Sequence, residues 1–434
     1  MDKMADVLGR AGAWCGQNKY LSAIKNAFQN FMPLTIAGAI GVLWCNVLVN
    51  ESTGLGIFFK PIMALEFLNP AFQAVNFCTI SCITVGITLG IAQEIGIWNM
   101  GAEKAGYIPG LVGLAAWLSV TNTSHMVEGA KDAFTGIAGN ELGATGLFTG
   151  MIIGILSVEL FCFFEKQDAL KIKMPEQVPP GVARAFEVLV PATITLIITA
   201  CIGSACYNLT GLYLNDVIKN GIQGPLGAVG ATIPGVMIIY LVIMLFWLVG
   251  IHGNNMLSAV KEALFTPLAL ENVEKFNKGE KPTNIINMYA LQMWGEFGGS
   301  GVTIGLVIAI MIFGKREDNK AIATLSLVPG LFNINETVTF GIPMVLNPIL
   351  GIPFVVAPLI TIIIGYVLTV IGFCPVACLT VPWTTPPIVF GFLACGANVM
   401  GAVTQAILIV VSTVIYTPFL ISYEKYQNKQ AAEA

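Results

Sequence analysis

The most unusual ionisable residue in this sequence is Glu336, which lies in "NINETVTFGIPMVLNP" (residues 333–348). From residue 321 to residue 371 it is the only ionisable acid or base apart from Tyr366. An unpaired charge in apolar surroundings is costly, so a carboxylate in such a segment is neutralised, paired or exposed to a water-filled cavity. We therefore predict that Glu336 is functional and that neighbouring polar groups share a polyhydroxylated ligand with it.

Three further segments combine polar side chains with glycine or proline: "GIHGNN" (250–255), "GEFGGSG" (295–301) and "VPWTTPP" (381–387). Broken helices at membrane depth are tolerated only where they are buried in protein or line a cavity. Their free backbone groups and half-helix dipoles are what transporters use to bind cargo. We interpret the breaks as one substrate pocket, whose candidate residues are His252, Gly253, Asn254, Asn255, Gly299, Ser300, Asn333, Asn335, Glu336 and Trp383.

Two of these residues also have plain structural explanations. A single histidine at a helix end, such as His252, is often a hydrogen-bonding residue with no further role. Trp383 fits a core or interfacial aromatic, and equally a flat platform for the apolar face of a sugar ring. The "GGSG" loop lacks the lysine and the serine or threonine of a nucleotide-binding loop, so no nucleotide cofactor is predicted.

The composition identifies a membrane protein. Hydrophobic residues make up 56% of the chain and charged residues 11%, and the mean hydropathy is +0.78, which the surface of a soluble protein of this size cannot accommodate. The net charge of -4 includes no basic run suited to nucleic acid. The ten cysteines form no CxxC pair, and we predict neither a metal site nor a cofactor.

The apolar runs predict an all-α protein that crosses the membrane many times, at ~20 residues per crossing. Lysine and arginine cluster near the N-terminus, at 166–184, at 315–320 and near the C-terminus, which marks these segments as cytoplasmic. Both termini then face the cytosol, the crossings are even in number, and about ten is the natural choice. Lysines in 261–281 also indicate a cytoplasmic segment, so an element in 287–314 is re-entrant or missed.

The charged, proline-containing stretch at 165–187 is the predicted connector between two transmembrane halves, at 31–164 and 188–434. Residues 1–30 precede them as an amphipathic helix, because Trp14, Leu21 and Phe28 recur on one face. Such a helix lies in the membrane interface or packs on the protein itself, and the pattern does not separate the two. No secretory signal is predicted in this region.

The order and spacing of "GIHGNN", "GGSGVTIG" and "NINETVTFGIPMVLNP" resemble the membrane IIC component of the bacterial sugar phosphotransferase system, in its lactose, cellobiose and chitobiose group. The resemblance extends over nearly the whole chain, including "NKYLSAIKNAFQNFMPLTIAGAI". The sequence departs from the family pattern at two places: Thr337 replaces the usual proline, and residues 25–28 read "KNAF" where the family has "RDGF". These differences bear on which sugar is bound more than on the mechanism.

The resemblance implies a homodimer in the bacterial cytoplasmic membrane, with about ten spans per subunit and two re-entrant hairpins. The N-terminal half would make the dimer contact, and the C-terminal half would hold one disaccharide of the cellobiose or chitobiose type. By the same resemblance, His252 and Glu336 contact the sugar near the hydroxyl that is phosphorylated, with Glu336 as the candidate general base. The phosphoryl group comes from a separate IIB protein that bears a phosphocysteine, and none of the cysteines here is expected to be that residue.

Two other classes of function remain as alternatives at this stage. In a proton- or sodium-coupled secondary sugar transporter, Glu336 and His252 would form a proton relay and no soluble partner would be needed. A polytopic enzyme acting on lipid is disfavoured, because the sequence offers no metal cluster and no serine, histidine and acid set near one membrane face.

Overall fold

The computed structural model describes the chain almost throughout, namely residues 10, 14, 17–51, 56, 59–125, 134–175, 177–225, 230–342 and 344–433. Helices dominate, and the only strands among the described residues are β1 (Ser124–His125) and β2 (Phe134–Thr135), which pair antiparallel. Residues 19 to 43 form one helix, so the described end of the helix predicted at 1–30 continues without a break into the first apolar run. Residues 1–9, 11–13 and 15–16 of that prediction lie outside the described residues.

The helices of the first half of the chain are α1 (Lys19–Leu43), α2 (Asn69–Asn76), α3 (Ile83–Met100), α4 (Ala102–Ala105), α5 (Ile108–Val120), α6 (Gly139–Leu142), α7 (Ala144–Glu165), α8 (Pro180–Thr210) and α9 (Leu214–Ile218). Short π or 3-10 turns add Trp44–Leu48, Lys60–Leu68, Phe77–Ser81, Asp168–Leu170 and Lys219–Gln223.

The helices of the second half are α10 (Ile233–Leu248), α11 (Gly253–Met256), α12 (Ser258–Asn277), α13 (Met288–Gly295), α14 (Ile304–Phe313), α15 (Glu317–Leu331), α16 (Glu336–Gly341), α17 (Gly351–Val370), α18 (Val389–Ala394) and α19 (Val399–Glu433). A 3-10 turn at Ser300–Val302 precedes α14.

Local sequence signals explain where several of these helices begin. The Thr232 hydroxyl accepts the Gly235 N–H at the start of α10, and proline occupies the first turn. The Asn287 side chain accepts the N–H groups of Tyr289 and Ala290 at the start of α13. These side chains satisfy N–H groups that the first turn of a helix leaves without a partner, so each helix starts at a defined residue.

The chain forms two compact units. The smaller comprises Gln17–Gly38 and Val75–Ala228, and the larger comprises the described residues of Met1–Gly16, Ala39–Ala74 and Val229–Ala434. This division by packing differs in position from the predicted connector at 165–187, which here contains the end of α7, a 3-10 turn and the start of α8. The functional division into a dimerising half and a sugar-binding half stays a prediction.

In the smaller unit, α3, α5 and α7 pack against one another. Small residues permit the close approach: a Cβ at Gly150 of α7 would overlap the Thr88 hydroxyl of α3. Trp117, Val120 and Ile153 form a buried cluster between α5 and α7. Helix α7 ends at Glu165, a buried carboxylate that pairs with Lys104 and Arg184.

In the larger unit, α14 packs along α19, and α17 packs against both α10 and α19. Gly305 of α14 has no room for a side chain beside Ser412 of α19. The apolar stretch at residues 388–421 is interrupted once, because α18 ends at Ala394 and Gly396 takes a left-handed conformation with φ 71° before α19 begins. These helices hold the loops that carry the candidate pocket.

Five helices among the described residues are long and apolar enough to cross a membrane, and up to seven if each of two bent pairs is one span. The second bent pair, Met288–Val302 with Ile304–Phe313, turns by 60° and is a broken span or a re-entrant loop. Ile108–Val120 and Ile233–Leu248 are shorter apolar helices. An all-α polytopic membrane protein is thus confirmed, while the count of about ten spans and the two hairpins stay predictions.

Candidate functional site

The candidate pocket residues lie in or directly beside four breaks between helices, all in the larger unit. One break separates α10 from α11, a second separates α13 from α14, a third precedes α16, and a fourth separates α17 from α18. Glycine makes the sharpest turns possible: Gly250, Gly298, Gly299 and Gly301 have φ values of 82°, 68°, 88° and 79°, which residues with a Cβ rarely adopt. The sequence-predicted breaks are therefore real interruptions of the helices.

His252 and Glu336 face each other across two of these breaks. His252 Nε2 lies 3.9 Å from Glu336 Oε1, which is close for opposite charges but too long for a direct hydrogen bond. Their side chains are 37% and 48% exposed, so neither is buried within the protein. Glu336 is in the first turn of α16, where the helix dipole favours a negative charge.

The orientation of His252 is fixed on two sides. Its Nδ1 accepts the backbone N–H of Asn255 at 3.3 Å and caps α11, so a neutral ring carries its proton on Nε2, toward Glu336. The buried indole of Trp247 packs against the imidazole with ring centroids 4.4 Å apart. The Nε2–H of His252 is thus oriented to donate a hydrogen bond to a group that also contacts Glu336.

Ser300 connects the glycine loop to two predicted pocket residues. The Asn254 amide donates to the Ser300 hydroxyl at 3.0 Å, and the Asn335 amide donates to the Ser300 carbonyl oxygen at 2.7 Å. Asn335 and Ser300 are buried, and the Oδ1 of Asn254 is enclosed without a hydrogen-bond partner in the described part of the chain. Asn254, Ser300 and Asn335, far apart in sequence, therefore form one hydrogen-bonded unit.

Asn333 joins the glycine loop to the segment that carries Trp383. Its Oδ1 accepts the Gly298 N–H at 2.6 Å, and its Nδ2 donates to the carbonyl oxygens of Trp383 and Thr385 at 2.5 and 3.1 Å. Asn333 adopts φ 63°, a left-handed conformation that asparagine tolerates better than most residues. The amides of Asn333 and Asn335 are thus engaged within the protein, so both residues build the frame of the site.

The remaining candidates occupy different positions around this frame. The Trp383 side chain is 45% exposed while its carbonyl is held, so its ring is available as a contact surface. Gly253 is buried, and Asn255 is exposed beside His252. Gly299 lies against Asn335, where a Cβ would come within 2.6 Å of the asparagine side chain. All the predicted residues lie in the four breaks or in the first turn of the helix that follows one. Direct contact with a substrate stays a prediction for each.

An ion pair that the sequence did not predict lies next to the glycine loop of the site. Glu296, next to the glycine loop, pairs with Lys261 of α12 and accepts a hydrogen bond from the Tyr240 hydroxyl at 2.7 Å. Lys261, one of the lysines that indicated a cytoplasmic segment at 261–281, is only 5% exposed and pairs with Glu296. The side of the membrane on which this segment lies stays a prediction. The one available signal was a second acid, Glu296, inside another glycine-rich break.

Two kinds of comparison with known sequences give consistent matches. Residues 25–358 match the protein family described as "Phosphotransferase system, EIIC", a range that includes every candidate pocket residue except Trp383. The chain is 32% identical over 429 residues to the "PTS system oligo-beta-mannoside-specific EIIC component" of Bacillus subtilis (strain 168), covering 98% of this chain and 94% of that protein. It is 30% identical to the "PTS system cellobiose-specific EIIC component" of Lactococcus lactis subsp. lactis (strain IL1403), covering 98% of each.

Two further matches concern architecture. A "PTS system lactose-specific EIICB component" of Staphylococcus aureus (strain COL) is 32% identical, and the alignment covers 94% of this chain but 69% of that longer protein. Among solved structures, the chain is similar to "the transporter ChbC, the IIC component from the N,N'-diacetylchitobiose-specific phosphotransferase system". That match has a TM-score of 0.88, 29% sequence identity and 97% coverage of both chains.

Proposed function

We propose, because this chain belongs to the phosphotransferase system EIIC family, that it moves a β-linked disaccharide of the cellobiose or chitobiose type across the bacterial cytoplasmic membrane. It is a multi-pass membrane protein and a sugar permease of the cellobiose, lactose and chitobiose group. Proteins of this kind work with a sugar and a IIB partner, and the lactose-specific relatives are named EIICB components.

The observation that carries the proposal is the facing pair of His252 and Glu336. A sugar hydroxyl oxygen placed between them would lie within about 2.8 Å of both Nε2 and Oε1, because the two atoms are 3.9 Å apart. In that position the hydroxyl would accept from the Nε2–H of His252 and donate to the carboxylate of Glu336. One hydroxyl would thus be singled out from the many on a disaccharide.

This arrangement suits phosphoryl transfer to that hydroxyl. The reaction requires alignment of the attacking oxygen in line with the donor, and removal of its proton as the new bond forms. Glu336 accepts the proton, and His252 orients the oxygen. The phosphoryl group is transferred from the phosphocysteine of the IIB protein, and the negative charge that the sugar gains disfavours its return across the membrane. Uptake is therefore one-way.

The proposed substrate class is supported by the names of the similar proteins and by the exposed ring of Trp383. Those names refer to oligo-β-mannosides, cellobiose and diacetylchitobiose. The half-exposed Trp383 supplies a flat apolar surface of the kind that stacks on a pyranose ring. The hydroxyl of exposed Thr337, in place of the family's usual proline, adds a polar group beside Glu336 that would alter which disaccharide fits best.

The assembly that we propose is a homodimer with both termini in the cytosol. The basic segments at 166–184 and 315–320 support this orientation by the positive-inside rule. The smaller unit would supply the dimer contact, and the larger unit would hold the sugar and move it between the two faces of the membrane.

Reconstitution of the purified protein in vesicles tests the function. Cellobiose, diacetylchitobiose, lactose and maltose are offered outside, and phosphoenolpyruvate, the phosphocarrier proteins and a phosphorylated IIB protein are supplied inside. We expect uptake of a β-linked disaccharide, recovered as its phosphate, only when the phosphoryl donor chain is complete. Uptake driven by a proton or sodium gradient alone would instead favour a secondary transporter and would overturn the proposal.

A further inference from the structure

The ion pair of Lys261 and Glu296 is almost enclosed within the larger unit. Lys261 is 5% exposed, and the Glu296 side chain is 17% exposed. The buried Tyr240 hydroxyl donates to the same carboxylate oxygen that Lys261 contacts, and the Lys261 ammonium lies 5.6 Å from the centroid of the Tyr240 ring. One lysine, one acid and one tyrosine thus meet at a single oxygen, Oε1 of Glu296.

Stability alone does not account for such a pair. Removing two charges from water is expensive, and well-packed hydrophobic residues of similar volume often serve a fold as well or better. What a buried pair provides is a fixed geometry, because either partner is strongly disfavoured without the other.

The pair connects two elements of the proposed sugar site. Lys261 is in the first turn of α12, immediately after the segment that carries His252, Asn254 and Asn255, and its backbone N–H donates to the Leu257 carbonyl. Tyr240 is on α10, the helix before that segment. The helices on both sides of the histidine segment therefore contact Glu296.

Glu296 is the residue from which the glycine loop begins. Its backbone carbonyl accepts the Gly299 N–H at 3.0 Å, which forms the first turn of the loop. The loop then supplies the Gly298 N–H to Asn333 and both Ser300 oxygens to Asn254 and Asn335. A shift of Glu296 would therefore move the partners of three candidate pocket residues at once.

We propose that Lys261 and Glu296 are positioning residues for the sugar site: their ion pair sets the glycine loop against the histidine segment. This inference rests on the proposed function and deepens it. Neither residue is assigned a contact with the reacting hydroxyl. Their loss should impair sugar binding more than the transfer step, because Glu336 and His252 are held by α16 and α11.

Kinetics of sugar phosphorylation separate this role from a purely structural one. The variants are K261M, E296Q, the double variant K261M/E296Q and Y240F, each reconstituted with the phosphorylated IIB protein. K104M is the matched control, since it removes a cation from the buried Glu165 in the other unit. Equilibrium binding of cellobiose or diacetylchitobiose without the IIB protein, and the midpoint of thermal unfolding, are measured alongside.

We expect K261M and E296Q to raise KM and the dissociation constant of the sugar roughly tenfold while kcat changes by about twofold or less. The double variant should recover most of the thermal midpoint, because no buried charge is left alone, yet keep the raised KM. Y240F retains the ion pair and should raise KM by roughly threefold. K104M should leave KM unchanged.

A fall in the thermal midpoint and in the maximal rate, with KM at the wild-type value, would overturn the inference, because that is the signature of fewer folded molecules. If K261M fails to fold, an unchanged KM in both Y240F and the double variant would likewise overturn the inference. Failure of the proposed function is a separate result: the wild-type protein itself would then bind no disaccharide or phosphorylate none.

Discussion

The side chain of Asn333 donates a hydrogen bond to the backbone carbonyl of Trp383, 50 positions later in the chain. The same side chain accepts the Gly298 N–H from a third segment. One asparagine therefore joins the glycine loop, the segment before α16 and the segment that presents the Trp383 ring. Because Asn333 contacts the backbone carbonyl of Trp383 and not its side chain, the hydrogen bond positions the indole ring and leaves its surface exposed.

Substitution of Asn333 should loosen this frame in two measurable steps. N333G keeps the left-handed backbone but loses the side-chain bonds, and we expect about 1–3 kcal/mol of lost stability from the N–H and carbonyl groups left without partners. N333A should lose about 1 kcal/mol more, since alanine disfavours φ 63°. Thermal unfolding of the two variants measures both steps. Equal midpoints would show that backbone conformation at residue 333 does not matter.

A methyl group at Gly299 should disrupt the site. G299A places a Cβ 2.6 Å from the Asn335 side chain at a φ of 88°, so both the backbone and the packing are strained. G279A is the matched control, because Gly279 has a similar φ of 73° with nothing within 4 Å of a Cβ. We expect G279A to cost only about 1 kcal/mol of stability and to keep sugar binding. G299A should abolish sugar binding. Retained sugar binding in G299A would show that the glycine loop is not part of the sugar site.

Removal of the Glu336 charge should stop the transfer step. E336Q keeps the size of the side chain and one accepting oxygen but cannot accept the hydroxyl proton, so the rate of phosphorylation should fall by roughly a hundredfold or more. Sugar binding should weaken, while the protein remains folded and its oligomeric state is unchanged. E317Q, at an 87% exposed side chain, is the control and should behave as wild type. Wild-type uptake by E336Q would remove Glu336 from the mechanism.

The sequence predicted the individual members of the site better than their connections. Glu336 and His252 were identifiable because charged or polar groups are rare and costly in apolar segments. The bonds from Ser300 to Asn254 and Asn335 cross 46 and 35 positions, and hydrophobic periodicity carries no information about such pairing. The pairing of Lys261 with Glu296 was hidden for the same reason, since whether a lysine is solvated or buried beside an acid depends on tertiary structure.

Trp383 offers the sharpest test of substrate contact, because its backbone role and its ring can be separated. W383A retains the carbonyl that Asn333 binds, so the frame should persist and thermal stability should change little. If the ring stacks on the sugar, its loss should weaken disaccharide binding roughly tenfold, equivalent to about 1.4 kcal/mol. W383F should recover part of that affinity. W98A, which removes a Trp that is also exposed (57%), is the control. Equal disaccharide affinity in W383A and wild-type protein, measured by equilibrium binding, would show that the exposed ring does not contact the sugar.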